Sequence, residues 1–205
     1  MTDIGAIMRT SPVIPVLVVE DAATARPIAE ALVAGGLRVL EITLRTPAAL
    51  EVIREMSNVE GAIVGAGTVL NESDLQRSIQ AGAQFIVSPG LTERLGRAAV
   101  ASGVPFLPGI ASAGDIMRGL ELGLSHFKFF PAEASGGIPA LRALAGPFGQ
   151  VRFCPTGGIT PDSAPEWLGL EPVLCVGGTW LVSKSGAFDP SAISAAARTA
   201  AALKH

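Results

Sequence analysis

The chain has 205 residues, 49% of them hydrophobic and 16% charged, with a formal net charge of −3. That length and apolar content argue for a folded core in one domain spanning residues 1–205, and against a disordered chain. The slight acidity and the lack of any basic cluster exclude a nucleic-acid partner on electrostatic grounds, and no apolar run reaches the ~18 residues of a membrane helix.

Met1-Thr2-Asp3-Ile4 lacks the basic start and apolar stretch of an export signal, so a cytoplasmic location is expected. Cys154 and Cys175 show neither metal-site spacing nor a CxxC pair, and both lie in apolar runs, which predicts buried reduced thiols. The histidines, His126 and His205, are too few and too far apart to suggest a metal site, so no metal and no cofactor is expected.

In chain order, a short amphipathic segment, Ile4 to Met8, precedes an apolar strand, Val13 to Val19. A helix from Ala22 to Ala34 follows, stopped by Gly35-Gly36. The same alternation then recurs. Strands are predicted at Val39–Leu44, Ala62–Gly67, Phe85–Ser88, Phe106–Ile110, His126–Phe130, Arg152–Thr156 and Val173–Val176. The intervening helices are Pro47–Met56, Glu72–Ala81, Thr92–Ser102, Ala113–Leu122, Ile138–Ala145 and Pro161–Leu168, and Pro190–Leu203 closes the chain.

Eight strand–helix units repeat every 20–25 residues or so, and their strands are apolar throughout rather than alternating. The simplest closure is a single-domain (β/α)8 barrel with a short N-terminal helix. The competing open, doubly wound sheet loses its dinucleotide-binding version, because no GxGxxG follows the first strand.

In such a barrel, chemistry sits at the carboxyl ends of the strands. Glycine recurs there, in Gly65-Ala66-Gly67-Thr68, Ser88-Pro89-Gly90, Pro108-Gly109, Thr156-Gly157-Gly158 and Gly177-Gly178-Thr179, where bare backbone can approach a ligand. The chain has three lysines against twelve arginines. Lys184 and Lys204 fall in a loop and at the carboxyl end, but Lys128 stands inside Ser125-His126-Phe127-Lys128-Phe129-Phe130-Pro131. An amine among phenylalanines is costly to keep protonated, and a neutral amine attacks ketones and aldehydes. Glu41, Thr43 and Arg45 share one strand face, so an inward Glu41 lies at a depth similar to Lys128 and offsets it. A carboxylate in that place can move protons while the amine forms and releases an adduct. Arg45, at the mouth, suits a substrate carboxylate, and Thr68 could add a hydroxyl. The diglycines after strands seven and eight, with Thr179, suit a phosphate. On the residues alone, a barrel isomerase or epimerase, a non-catalytic sugar-phosphate binder and a metal-dependent aldolase stay open.

Together, EITLRT, GAGTV, SPG, FKFFPAE, CPTGGI and VGGTWL resemble the 2-keto-3-deoxy-6-phosphogluconate (KDPG) aldolases, many of which also act on 4-hydroxy-2-oxoglutarate. The resemblance runs from about Val13 to Trp180. It implies a class I aldolase that cleaves KDPG to pyruvate and glyceraldehyde 3-phosphate, with Lys128 as the Schiff-base lysine and Glu41 as the acid/base. It further implies Arg45 and Thr68 at the pyruvate end, Pro89, Phe130 and Thr156 along the pocket, and Gly157, Gly158, Gly178 and Thr179 around the phosphate. It implies a homotrimer as well. Thr179 stands where the family more often has serine. The galactonate epimer of KDPG is the alternative substrate, with stereochemical choice falling to Thr156, Thr179 and nearby loops.

Overall fold

The computed structural model describes residues 3–182 and 189–203; Lys184, Lys204 and His205 lie outside them. Eight parallel strands follow the chain: β1 Val13–Leu17, β2 Val39–Thr43, β3 Ile63–Gly67, β4 Phe85–Ser88, β5 Phe106–Ile110, β6 His126–Phe129, β7 Arg152–Pro155 and β8 Val176–Gly178. Each neighbours the next in the order β7-β6-β5-β4-β3-β2-β1-β8. The seam between β7 and β8 is joined by two single bridges, Phe153 to Val173 and Thr156 to Gly177. The sheet is therefore a nearly closed (β/α)8 barrel.

The helices are α1 Ile4–Met8, α2 Ala25–Ala34, α3 Ala49–Ser57, α4 Glu72–Gln80, α5 Glu93–Ser102, α6 Ala113–Glu121, α7 Gly137–Ala145, α8 Ala164–Leu168 and α9 Pro190–Ala201. Side chains fix several starts: Asn71, Thr92 and Ser112 each accept from a backbone N–H in the first turn, and Ser112 and Asp115 form a reciprocal capping box. A 3-10 turn, Ala22–Thr24, occupies the expected start of α2. The expected helix from Pro47 begins two residues later, because Thr46 Oγ1 donates to the Val19 carbonyl (2.7 Å) and holds the chain in a turn.

The last strand departs most from expectation. It was expected at Val173–Val176, with the glycines as its end, whereas β8 runs through Gly177 and Gly178. Pairing of Val176, Gly177 and Gly178 with Val13, Ile14 and Pro15 of β1 overrides the poor strand preference of glycine.

Strand alternation sorts the apolar residues into two clusters. The larger lies between strands and helices and includes Leu40, Ile42, Phe127, Phe129 and Trp167. The smaller fills the barrel's lower interior: Ile14, Val39, Phe85, Val87, Leu107, Cys154 and Cys175, capped by Ile7 and Met8 of α1. That floor seals one end and leaves the carboxyl ends of the strands as the open one.

His126, half-buried at the floor, faces α1, with its Nδ1 3.2 Å from the Ser125 hydroxyl. Desolvation first, and then the Arg9 charge, hold its pKa below the usual value, with Arg152 acting the same way and Asp3 opposing. A histidine with a depressed folded-state pKa binds its proton more readily when unfolded, so its contribution to stability is complete above the unfolded value of about 6.5 and is lost as pH falls below it. Urea melts of the protein and of His126→Gln should show that fall below pH 6.5, with a flatter profile in the variant.

Candidate active site

On β6, His126 and Lys128 point inward while Phe127 and Phe129 point outward. Phe127 packs on Gly119 of α6, and Phe129 lies 6.3 Å from Trp167 of α8, tilted by 48°. The expectation of an amine surrounded by phenylalanines is thus corrected: of the three in this run, Phe130 alone faces it, with its ring centroid 5.4 Å from Lys128 Nζ. Alternation explains it, because the two odd-numbered aromatics of the strand must face the helices.

On β2, Val39, Glu41 and Thr43 share the inner face. Strands β2 and β6 stand opposite each other in the barrel order, with three strands between them on either side. Lysine and glutamate are long enough to meet near the axis. Lys128 Nζ donates to Glu41 Oε1 at 2.9 Å and to Oε2 at 3.1 Å, and the side chains are only 7% and 4% exposed. Both charges have left water, which costs several kcal/mol each unless they are paired.

Small residues make the space. A Cβ on Gly67 would overlap the Glu41 carboxylate, and one on Gly177 would overlap the Thr156 side chain. These glycines accommodate neighbouring side chains, not only the bare-backbone approach to a ligand expected from the sequence. Gly109 pairs in register with Lys128, and the Pro89 carbonyl packs where its side chain would be. The Ser88-Pro89-Gly90 turn, closed by Ser88 Oγ donating to the Gly90 carbonyl (2.7 Å), therefore folds over the mouth beside the lysine.

Thr43 and Thr46 hydroxyls donate to the Leu17 and Val19 carbonyls, tying the end of β2 to β1 and leaving Arg45 exposed at the rim. Arg45 has no ion-pair partner among the described residues. Beside it, Leu44 N–H donates to the Gly67 carbonyl (2.9 Å), and the next residue, Thr68, has φ +60°. A β-branched residue in the left-handed region costs roughly 1–3 kcal/mol, and such strain concentrates at functional sites.

Across the mouth, Thr156 is buried, and Gly157 and Gly158 have φ of +104° and +84°, a turn that glycine makes without strain. Gly157 packs against the Phe130 ring, and the Thr156 bridge to Gly177 sets this loop beside Gly178 and the exposed Thr179. Trp180 covers Gly178. Lys128, Glu41 and Phe130 are thus in mutual reach. Arg45 and Thr68 gather on one side of the rim, and Thr156 through Thr179 gather on the other. Neither group hydrogen-bonds to the central pair.

Cys154 and Cys175 are free and buried, and burial pushes the Cys175 thiol well up. They are packing residues of the floor. Sequence reasoning missed Glu133 and Trp167 as neighbours of the diglycine loop. Only Glu133's place in the FKFFPAE run offered a signal.

A buried lysine–carboxylate pair under the open end of a (β/α)8 barrel is an arrangement suited to a class I aldolase, an enzyme that works through a Schiff base. Comparison with known proteins agrees. The family described as KDPG and KHG aldolase matches residues 4–195. The 2-dehydro-3-deoxy-phosphogluconate aldolase of Zymomonas mobilis is 60% identical over 204 residues, covering 100% of this chain and 98% of its own. Its crystal structure with 3-phosphoglycerate superposes with a TM-score of 0.97, over 100% of this chain and 97% of that one. The KHG/KDPG aldolase of Escherichia coli K12 is 56% identical over 182 residues, 88% of this chain and 85% of its own. The KDPG aldolase of Legionella pneumophila, with pyruvate captured as a covalent carbinolamine, is 44% identical over 98% of this chain and 99% of its own, with a TM-score of 0.93. The chain belongs to the KDPG and KHG aldolase family. It is a carbon–carbon lyase that reversibly cleaves KDPG to pyruvate and glyceraldehyde 3-phosphate.

The space beside Gly67 gives a direct check of the geometry. Gly67→Ala should push the Glu41 carboxylate off Lys128 and lower turnover by roughly 10²-fold. Circular dichroism should show the barrel intact, and steady-state kinetics should carry the whole effect.

Proposed function

We propose that Lys128 is the nucleophile of this reaction and Glu41 the group that moves its protons. The observation that carries the reading is their meeting on the barrel axis, at 2.9 and 3.1 Å, out of water. Lys128 Nζ passes a proton to Glu41 and, with its lone pair free, attacks the C2 ketone of KDPG; Glu41 returns that proton to the departing hydroxyl as the carbinolamine loses water to give an iminium. The iminium accepts the electron pair of the C3–C4 bond as Glu41 takes the C4 hydroxyl proton. Glyceraldehyde 3-phosphate leaves and an enamine remains on Lys128. Protonation at C3 and hydrolysis release pyruvate and free the lysine.

Arg45 then orients the pyruvate-end carboxylate with its two parallel donors, assisted by the Thr68 hydroxyl. Pro89, Phe130 and Thr156 line the path between. Gly157, Gly158, Gly178 and Thr179 hold the phosphate through backbone N–H groups and a hydroxyl. Positive φ at two of these glycines and the open rim there support that placement. Holding the phosphate far from the reacting carbons contributes to their alignment. Cleavage of 4-hydroxy-2-oxoglutarate to pyruvate and glyoxylate follows from the same pyruvate end, and the name of the E. coli relative supports it. Residues 1–205 act as one unit, in a cytoplasmic homotrimer. The family resemblance supports the trimer, and light scattering should return the mass of three chains.

Glu41→Gln keeps the shape and removes the base. Its kcat on KDPG should fall by roughly 10²–10⁴-fold. A variant that folds, by circular dichroism, and keeps kcat within a few-fold of the parent contradicts the assigned role.

A further inference from the structure

Glu133 stands four residues after β6, exposed, with no lysine or arginine partner among the described residues. An unpaired carboxylate beside a loop assigned to a phosphate is unexpected on charge alone. Three contacts explain it. Its backbone N–H donates to the Gly157 carbonyl at 3.0 Å. Its side-chain stem fills the space beside Gly158, where an added Cβ would lie 2.6 Å from Cγ and 2.7 Å from Cβ. Its carboxylate Oε1 accepts from Trp167 Nε1 at 2.9 Å, and Trp167 is 1% exposed on α8, the helix that follows the loop. The residue therefore joins the exit of β6 to α8 with the Gly157-Gly158 turn pressed between them. Trp167 has one polar hydrogen, and it is spent on this bond.

We propose that Glu133 is a positioning residue for the phosphate end of the substrate. By fixing the diglycine turn through Trp167, it sets the affinity for the phosphorylated substrate and leaves the chemistry at Lys128 untouched. The inference rests on the assignment of that turn to the phosphate. One carboxylate oxygen is tied to the indole, and what matters is the acceptor and the stem.

The test pairs two reactions of the whole enzyme. KDPG cleavage uses both ends of the site, whereas exchange of the pyruvate methyl protons in D2O, followed by NMR, uses only the enamine chemistry. Glu133→Ala should raise KM for KDPG by about tenfold, the worth of one fixed contact, with kcat and pyruvate exchange within about twofold. Glu133→Gln, whose amide oxygen still accepts from Trp167, should restore KM. Trp167→Phe, which keeps an aromatic side chain but loses the pyrrole ring and its donor, should reproduce the KM rise and carries the test if Glu133→Ala does not fold. Equal losses in both reactions, or no loss in either, overturn the proposal. Thr179→Val, which Glu133 does not touch, separates the two readings. If it raises KM for KDPG alone while Glu133→Ala does not, only the role of Glu133 falls. If neither variant is selective, the phosphate assignment falls with it.

Discussion

Two opposed strands place a lysine and a glutamate against each other on the axis of the barrel, and the rest of the interior is arranged around that contact. Neither charge is tolerable there alone. Removing one partner of such a buried pair typically costs about 3–5 kcal/mol, because the other is left desolvated and unpaired. The pair is also bounded differently above and below. Beneath it lies the apolar floor sealed by Ile7 and Met8; above it lie Thr156, the Pro89 turn and an open rim carrying Arg45. A pair that served stability alone would gain nothing from that opening. On the proposed roles, a carbonyl arriving from the mouth meets the amine beside the group that can take its proton.

The division between floor and mouth follows from the fold. Parallel strands send all carboxyl ends the same way, so substrate-facing loops collect at one end and packing residues at the other. The mouth holds the strained backbone of Thr68 and the left-handed turn at Gly157 and Gly158. The floor holds His126 and the thiols. The β7–β8 seam has only two bridges, yet it carries the loops assigned to the phosphate. Bridging through Thr156 and Gly177 keeps those loops adjacent where continuous pairing does not.

Much of this was legible in the sequence, for identifiable reasons. Eight apolar runs at even spacing leave few closures other than a barrel, and Lys128 stood out as the lysine within an aromatic strand. Glu41 followed from the period-two rule. That same rule, applied to β6, turns Phe127 and Phe129 away from Lys128, but the crowding of aromatics along the run read as an apolar surround on every side of the amine. The glycines after Val176 marked the strand's end in the sequence but are paired residues of β8 in the fold, since pairing with β1 is a long-range interaction that local propensity does not carry. Glu133 and Trp167 are 34 residues apart, and nothing local joins them.

The proposed chemistry turns on a covalent bond between Lys128 and the substrate's ketone carbon. Reduction with borohydride in the presence of pyruvate, followed by peptide mass mapping, tests it directly. One pyruvate-derived adduct is expected, on the peptide containing Lys128, with loss of activity in proportion to labelling. Full inactivation with the adduct on another residue, or sustained turnover with no trapped adduct, would contradict it.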